Sequence, residues 1–371
     1  MIVGLDIQPG QAVAARVRLE PELRGGSGQL HVEEAAGLPL PPEVVRDGEV
    51  IGVETLSAAL RELFSRGKFG KRVRIGVANQ RIVVRRLELP PISDPKELAT
   101  AVRFQAQDEI PMPLDSVVLD FHSLGIVDTV NGPRQQVVLV AARREMVDRV
   151  LQAARGAGLR PEGVDLSAFA MIRALRPPQA PADERVLYLA VGGLTNLAIA
   201  EGSTCQFTRV IGGGLEQMVV EVAERCALPV AAARDLIAAV DLSADALNDR
   251  PHALAESPAA SAVPGLHPAA EDRRTEHEQT AHAVLRDSLR RLAAEVRNSL
   301  DFHQAQEPGA EITRAVLCGP AVDIAGFHRV LSSELGLPVT AGAVDAASAT
   351  TDVPSSRLTI AAGLAIEDRA A

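Results

Sequence analysis

At 371 residues the chain is too long for one ordinary domain and predicts at least two. Hydrophobic residues make up 47% and aromatics only 2%, so the core must be built from Val, Leu, Ile and Ala. The net charge of −10 excludes general nucleic-acid affinity, which depends on neutralising phosphates, and Lys occurs only at Lys68, Lys71 and Lys96.

Cys205, Cys226 and Cys318 are far apart and form no CxxC, which excludes a disulfide scaffold and suits a reducing compartment. No run approaches the ~18 apolar residues of a membrane span. Met1 leads straight into a strand carrying Asp6, so no signal peptide is expected.

The chain opens with a predicted hairpin. Residues 2–7 form a buried strand, Gln8-Pro9-Gly10-Gln11 a tight turn, and 12–17 the return strand. Residues 30–36 suit a third strand, 38–50 an extended Pro-rich stretch, and 54–65 an amphipathic helix with Leu56, Leu60 and Leu63 on one side. Residues 72–77 and 82–89 read as strands joined at Asn79-Gln80. Ser93 is placed to cap a helix over 95–108 that Pro111 and Pro113 end. Strands at 117–124 and 136–142 and a helix at 144–157 complete a small α/β module over 72–157.

A linker at 176–183 leads into a second half. There, strand 186–191, the turn Gly192-Gly193 and strand 195–200 repeat the pattern of the opening hairpin. Gly212-Gly213-Gly214 opens a helix over 215–226. Residues 243–279 are rich in Ala, Pro and Ser and read as a mobile insertion. His252, His267, His277 and His282 in or beside it lack metal-ligand spacing, so no metal site is expected. A long helix from 282 to about 304, a strand at 314–318, a turn at Gly319-Pro320, a helix at 323–335, a short strand at 337–339 and a closing helix at 358–367 follow.

The repeated strand–glycine turn–strand pattern predicts two related α/β halves facing across a cleft. Turns at Gln8–Gln11, Gly192–Asn196 and Gly319–Val322 converge there, with the Gly212–Gly214 helix start beside them, as at a nucleotide site. The absence of GxxxxGK[ST] and of a strand-borne GxGxxG excludes a P-loop and a dinucleotide fold.

Several longer segments resemble one family. They are VGLDI at 3–7, RRLELPPISDPKELATAVRFQAQDEIPMPLDSVVLDFHSLG at 85–125 and VVLVAARREMVDRVLQAARGAGLRPEGVDL at 137–166. EVRNSLDFHQAQ at 295–306, RAVLCGPAVDIAGF at 314–327 and TIAAGLAIED at 359–368 continue the match. The chain resembles the PilM family of type IV pilus assembly proteins, actin-like relatives of the cell-division protein FtsA. The resemblance implies an α/β, actin-like two-domain fold of FtsA type with an inserted small α/β subdomain. Its division would be 1–70 for the first part of subdomain 1A, 71–158 for the inserted subdomain 1C, and 159–182 for the return of 1A with the linker. The second half would be 183–226 for 2A, 227–285 for 2B with the 243–279 insertion, and 286–371 for the return of 2A.

The same resemblance implies ATP with Mg²⁺ between the halves. The nucleotide residues would be Asp6, Gln8, Gly10, Gln11, Gly192, Gly193, Thr195, Asn196, Gly213, Gly214, Gly319 and Pro320. It further implies a groove beside the inserted subdomain for the cytoplasmic N-terminal peptide of a PilN-like inner-membrane protein, with Arg85, Arg86, Phe104 and Gln105 as groove residues. The protein would link that partner to the pilus motor ATPases, and self-association is a further expectation. It would lie in the cytoplasm at the inner face of the membrane, held through partners, since the closing helix runs straight into AIEDRAA without an amphipathic anchor.

All three turns depart from the family pattern. Gln8-Pro9-Gly10-Gln11 replaces a small Gly-Ser/Thr turn, Ala190-Val191-Gly192 replaces Asp-Ile-Gly, and Gly319-Pro320-Ala321 replaces three glycines. Pro9 removes an N–H donor, Gln8 adds bulk where a phosphate would approach, and Ala190 removes a carboxylate. The expectation is weak or absent ATP binding without useful hydrolysis, in an adaptor rather than an enzyme. An active actin-like ATPase and an FtsA-like filament former are the alternatives.

Overall fold

The computed structural model describes residues 1–19, 30–177, 179–243, 268–306 and 311–366. The first lobe begins with the meander β1 (Val3–Gln8), β2 (Gln11–Leu19) and β3 (Leu30–Pro39). A two-strand ribbon, β4 (Val45–Arg46) and β5 (Glu49–Val50), follows the Pro-rich stretch. Next come α1 (Val53–Arg66), β6 (Arg72–Val77), β7 (Val83–Leu89), α2 (Pro95–Glu109), β8 (Val117–Thr129), β9 (Gly132–Arg143), α3 (Arg144–Gly156), β10 (Arg160–Leu166) and α4 (Ser167–Leu175). The second lobe contains β11 (Arg185–Val191), β12 (Thr195–Glu201), β13 (Thr204–Ile211), α5 (Leu215–Arg225), α6 (Val230–Ala239), α7 (Pro268–Gln306), β14 (Arg314–Cys318), α8 (Phe327–Leu335), β15 (Val339–Ala341) and α9 (Thr359–Ala365).

The two main sheets share one topology. The first runs β3-β2-β1-β6-β10 and the second β13-β12-β11-β14-β15. In each, an antiparallel three-strand meander continues into two parallel strands. The echo of the opening hairpin at 186–200 is therefore a repeat of architecture. Every residue of β1 is buried, including the polar Asp6 and Gln8, as in a strand covered on both faces.

The covering helices cross between lobes. α4 leaves the first lobe, and its Ala170, Met171 and Ile172 pack with Val186, Tyr188 and Ala198 of the second sheet. α9 ends the second lobe, and its Ala361, Ala362 and Ala365 pack with Val13, Ala15 and Val17 of the first. This exchange fixes the ends of β1 and β11 side by side.

The inserted module is tighter than residues 72–157. β6 belongs to the first main sheet, paired with β1 and β10. α3 packs Met146, Val147 and Val150 into that lobe's core with Leu56 and Leu60 of α1. The separate sheet is β7-β9-β8, covered by Leu98, Val102 and Ala106 of α2. The cap of α2 is Asp94 rather than Ser93: its Oδ1 accepts from the Lys96 and Glu97 amides at 2.7 and 3.0 Å. The carboxylate stands directly before Pro95, which takes the first helical position.

Two further boundaries differ from expectation. α7 starts at Pro268, inside the stretch taken as a mobile insertion, so 268–279 are helical and 244–267 lie outside the described residues. The helix after Gly319 starts at Phe327, because Pro320–Asp323 form one tight 3-10 turn that ends at Ile324.

Candidate functional site

The three glycine turns do converge. Asp6 and Gln8 alternate with Leu5 and Ile7 on β1, so both point to the same face of the strand, and only 2% and 8% of them is exposed. Gln8 Nε2 donates to Asp6 Oδ2 at 2.6 Å. Gln8 Oε1 accepts from the Gly193 amide of the other lobe at 3.2 Å. One glutamine thus spans the cleft where the two turns meet. Around it the lobes touch: a Cβ on Gly193 would lie 2.3 Å from the Pro9 carbonyl oxygen.

Four amides at these turns are already engaged. Gly192 N–H donates to Leu194 O at 3.0 Å, Gly193 N–H to Gln8, and Gly319 N–H to Ser356 O at 3.0 Å. At the start of α5 beside Gly213 and Gly214, Leu215 N–H donates to Gly192 O at 2.7 Å. Gly10 sits against the Glu216 carboxylate, which accepts two bonds from Arg234 at 2.7 and 2.8 Å.

Burial pushes the Asp6 carboxyl up to about 7, with the Gln8 amide acting against it. Asp6 Oδ1 has no hydrogen-bond partner. Burial also raises the neighbouring Cys318 thiol, and the Asp6 charge raises it further.

Two small cavities remain here. One of about 10 Å³ lies among Asp6, Gln8, Gln11, Gly192 and Pro320, about the size of a single water. The other, of about 60 Å³, lies among Gly10, Gly193, Glu216, Arg234 and Pro320. Ligand pockets typically hold about 300 Å³ or more. Among the described residues no group of three His, Cys, Asp or Glu could hold a metal ion. The residues present do not fit a nucleotide: Gln8 fills the space, the cavities beside it are small, and the amides of Gly192, Gly193, Gly319 and Leu215 face the chain's own oxygens.

Thr195 and Asn196, each 1% exposed, do not join this cluster's lining. Asn196 lines a different cavity of about 810 Å³ beside it, between the inserted module and the second lobe. Ile82, Val83, Val84 and Arg85 form one wall, and residues 207–212 with Glu295, Ser299 and Phe302 form the other. Consecutive residues of a strand point to alternate faces, so a cavity lined by both sets lies along the strand's edge. Among the described residues β7 pairs only with β9, and β13 only with β12. The cavity thus runs between two free sheet edges.

Of the four expected groove residues, Arg85 lines this cavity. Arg86 follows it on β7, and its side chain donates to Gln136 Oε1 at 3.2 Å. Phe104 and Gln105 lie on α2, outside the lining, with Phe104 72% exposed. Sequence reasoning missed the second wall. Two signals were available: Glu295, Ser299 and Phe302 are spaced to share one helix face, and Phe207 and Phe302 are two of only nine aromatic residues, the eight Phe and one Tyr. Their rings lie 6.0 Å apart.

Two lobes with the same sheet topology, a hairpin turn from each at the cleft and helices exchanged between them define an actin-like fold of FtsA type. The family model described as Type IV pilus assembly protein PilM matches residues 4–246. The chain belongs to this family. Among solved structures it is similar to the "PilM-PilN type IV pilus biogenesis complex", at 23% identity and a TM-score of 0.73, covering 98% of this chain and 97% of that one. It is also similar in fold to the ethanolamine utilization protein EutJ from Carboxydothermus hydrogenoformans, at 14% identity and a TM-score of 0.52, over 98% and 88% of the two chains.

Proposed function

We propose that this protein is an adaptor of a type IV pilus machine that docks the cytoplasmic N-terminal peptide of a PilN-like inner-membrane protein without help from a nucleotide. The observation that carries the reading is the cavity of about 810 Å³ between the free edges of β7 and β13. An extended peptide gains main-chain hydrogen bonds at such an edge and side-chain pockets beside it. Val83, Val84, Phe207 and Phe302 supply apolar surface, and Arg85 supplies a cation at the rim. The relative solved as a PilM-PilN complex supports the partner class.

The closed glycine turns support a scaffold rather than a hydrolase, since Gln8 already joins the lobes where a nucleotide would. The protein would act in the cytoplasm, held at the membrane through its partner; among the described residues no helix is long and apolar enough to cross a membrane. Contact with the motor ATPases, and self-association, would extend this role.

Isothermal titration with a synthetic peptide of the cognate PilN-like N-terminus tests the reading. Saturable binding with the same affinity in the presence and absence of Mg-ATP is the expected result. Binding that appears only with Mg-ATP would overturn nucleotide independence, and no binding in either condition would remove the adaptor role as framed.

A further inference from the structure

β8 is the outer strand of the inserted module. The sheet runs β7-β9-β8, so β7 borders the large cavity and β8 is the opposite edge. β9 pairs with β8 from Val117↔Arg143 out to Thr129↔Gly132, whereas β7 follows β9 only as far as Gln135. Beyond that point the hairpin is a two-stranded ribbon, which is marginal by itself in water. It nevertheless exposes Ile126, Val127 and Val130, and Val118 is exposed nearer its base. These are four of the nine large apolar side chains exposed among the described residues, so uncovered apolar surface concentrates on this one hairpin.

Two hydrogen bonds show which main-chain groups of β8 turn away from β9. Phe121 N–H donates to its neighbour Asp120 Oδ1 at 2.8 Å, and Val117 O accepts from Arg144 Nη2 at 2.8 Å. Ladder bonds alternate along a strand, so Leu119 between them also turns its amide and carbonyl outward. The register is unbroken to Ser123, which does the same; an irregularity follows between Ser123 and Gly125. Residues 117–123 are therefore a regular free edge. Lys and Pro, common guards of such edges, do not occur from 117 to 132, and neither does Arg. The charges on β8 are the exposed Asp120 and Asp128. Leu119 and Phe121 pack toward α2, which leaves Asp120 on the other face of the strand.

We propose that β8 is a docking edge for an extended strand of another protein, one that alternates basic and aliphatic side chains. The main-chain groups of Leu119, Phe121 and Ser123 would continue the sheet into that strand. Its basic residues would meet Asp120 and Asp128, and its aliphatic ones Val118, Ile126 and Val127. A cation opposite Asp120 offers this carboxylate a stronger partner and frees the Phe121 amide for the ladder. A second copy of this chain fits poorly, because its own β8 brings two carboxylates and no cation. The edge lies across the sheet from the cavity, so this surface stands apart from the docking read there.

The test uses the full chain and a fluorescently labelled synthetic peptide of about eight residues alternating Lys and Val, with a Glu-and-Val counterpart. Binding is read by polarisation, and its location by hydrogen exchange. The Lys peptide should bind saturably, more weakly at high salt, and should slow exchange at Leu119 and Ser123. The Glu peptide should not bind. In the double variant Asp120→Lys, Asp128→Lys, affinity for the Lys peptide should fall by about tenfold, and the Glu peptide should become the preferred one. Absence of Lys-peptide binding, equal binding of both peptides, or protection at 83–89 instead of β8 would overturn the proposal. Protection of β8 that grows with protein concentration without peptide would give the edge to a second copy and overturn it too. The exchange measurement on the unmodified protein decides the location even where the double variant fails to fold.

Discussion

Gln8 and Gly193 lie 185 residues apart and meet at 3.2 Å, side-chain oxygen to backbone amide, at the point where the hairpins of the two lobes touch. The other end of the same side chain holds Asp6 at 2.6 Å. A single glutamine therefore occupies one amide and one carboxylate oxygen that a phosphate with its metal would use. Replacing it should cost stability without restoring a nucleotide site. In Gln8→Ser the inter-lobe bond is lost and Asp6 is left without its donor, so unfolding should become easier by about 1–3 kcal/mol in a urea titration. Mg-ATP should still give no thermal protection, because Pro9 and Ala190 remain. Protection by Mg-ATP in this variant would show that Gln8 alone keeps the nucleotide out.

Asp6 makes the stability of the fold depend on pH. Its carboxyl ordinarily titrates at 3.8 and is pushed up to about 7 by burial. Between these values the folded chain holds a proton that the unfolded chain has released, so stability falls as pH rises through this window and levels off above about 7. The full shift corresponds to about 4 kcal/mol at most. Asp6→Asn keeps an oxygen for the Gln8 amide and removes the charge. It should flatten the denaturation midpoint between pH 5 and 8 and exceed the unmodified protein at pH 8. A variant that follows the same pH curve would place the titration elsewhere.

Much of the fold was legible because buried strands leave apolar runs and turns leave glycines. The opening hairpin, its echo at 186–200 and the strand at 314–318 all stand where the sequence puts them. The convergence of the three turns was legible for the same reason. That they touch was not, because it depends on the two lobes lying so close that a Cβ on Gly193 would stand 2.3 Å from the Pro9 carbonyl oxygen. Asn196 shows how proximity in sequence and in space can part. It follows a glycine turn, but along β12 it faces the neighbouring cavity, which only the position of the inserted module creates.

Ser93 and Asp94 show how a one-residue ambiguity is resolved by chemistry. Both are cap-forming residues before Pro95, and the structure uses Asp94, whose Oδ1 takes two amides of the first turn. Asp94→Ala should destabilise the protein by about 1 kcal/mol, and Ser93→Ala by no more than a few tenths. Exchange of the first-turn amides of α2 should quicken in the first variant alone. The opposite ranking would return the cap to Ser93.

Gly363 offers the sharpest test of how the lobes are joined. In an ordinary helix interior, Gly→Ala stabilises by about 1 kcal/mol. Here a Cβ on Gly363 of α9 would stand 1.9 Å from the carbonyl oxygen of Ala170 in α4 and 2.6 Å from its carbon. Both are backbone atoms, so no side-chain rotation relieves the overlap. Arg173 Nε also donates to Gly363 O at 3.2 Å, tying the same two helices together. Forcing α4 and α9 apart disturbs the packing of each helix on the opposite lobe's sheet. Gly363→Ala should therefore reverse the usual sign and destabilise by about 1–3 kcal/mol. The loss should appear as one cooperative shift of the urea midpoint, since the crossing helices belong to both lobes. A raised midpoint would show that the two helices pass with room to spare, and that the lobes are held together by their cleft contacts rather than by this crossing.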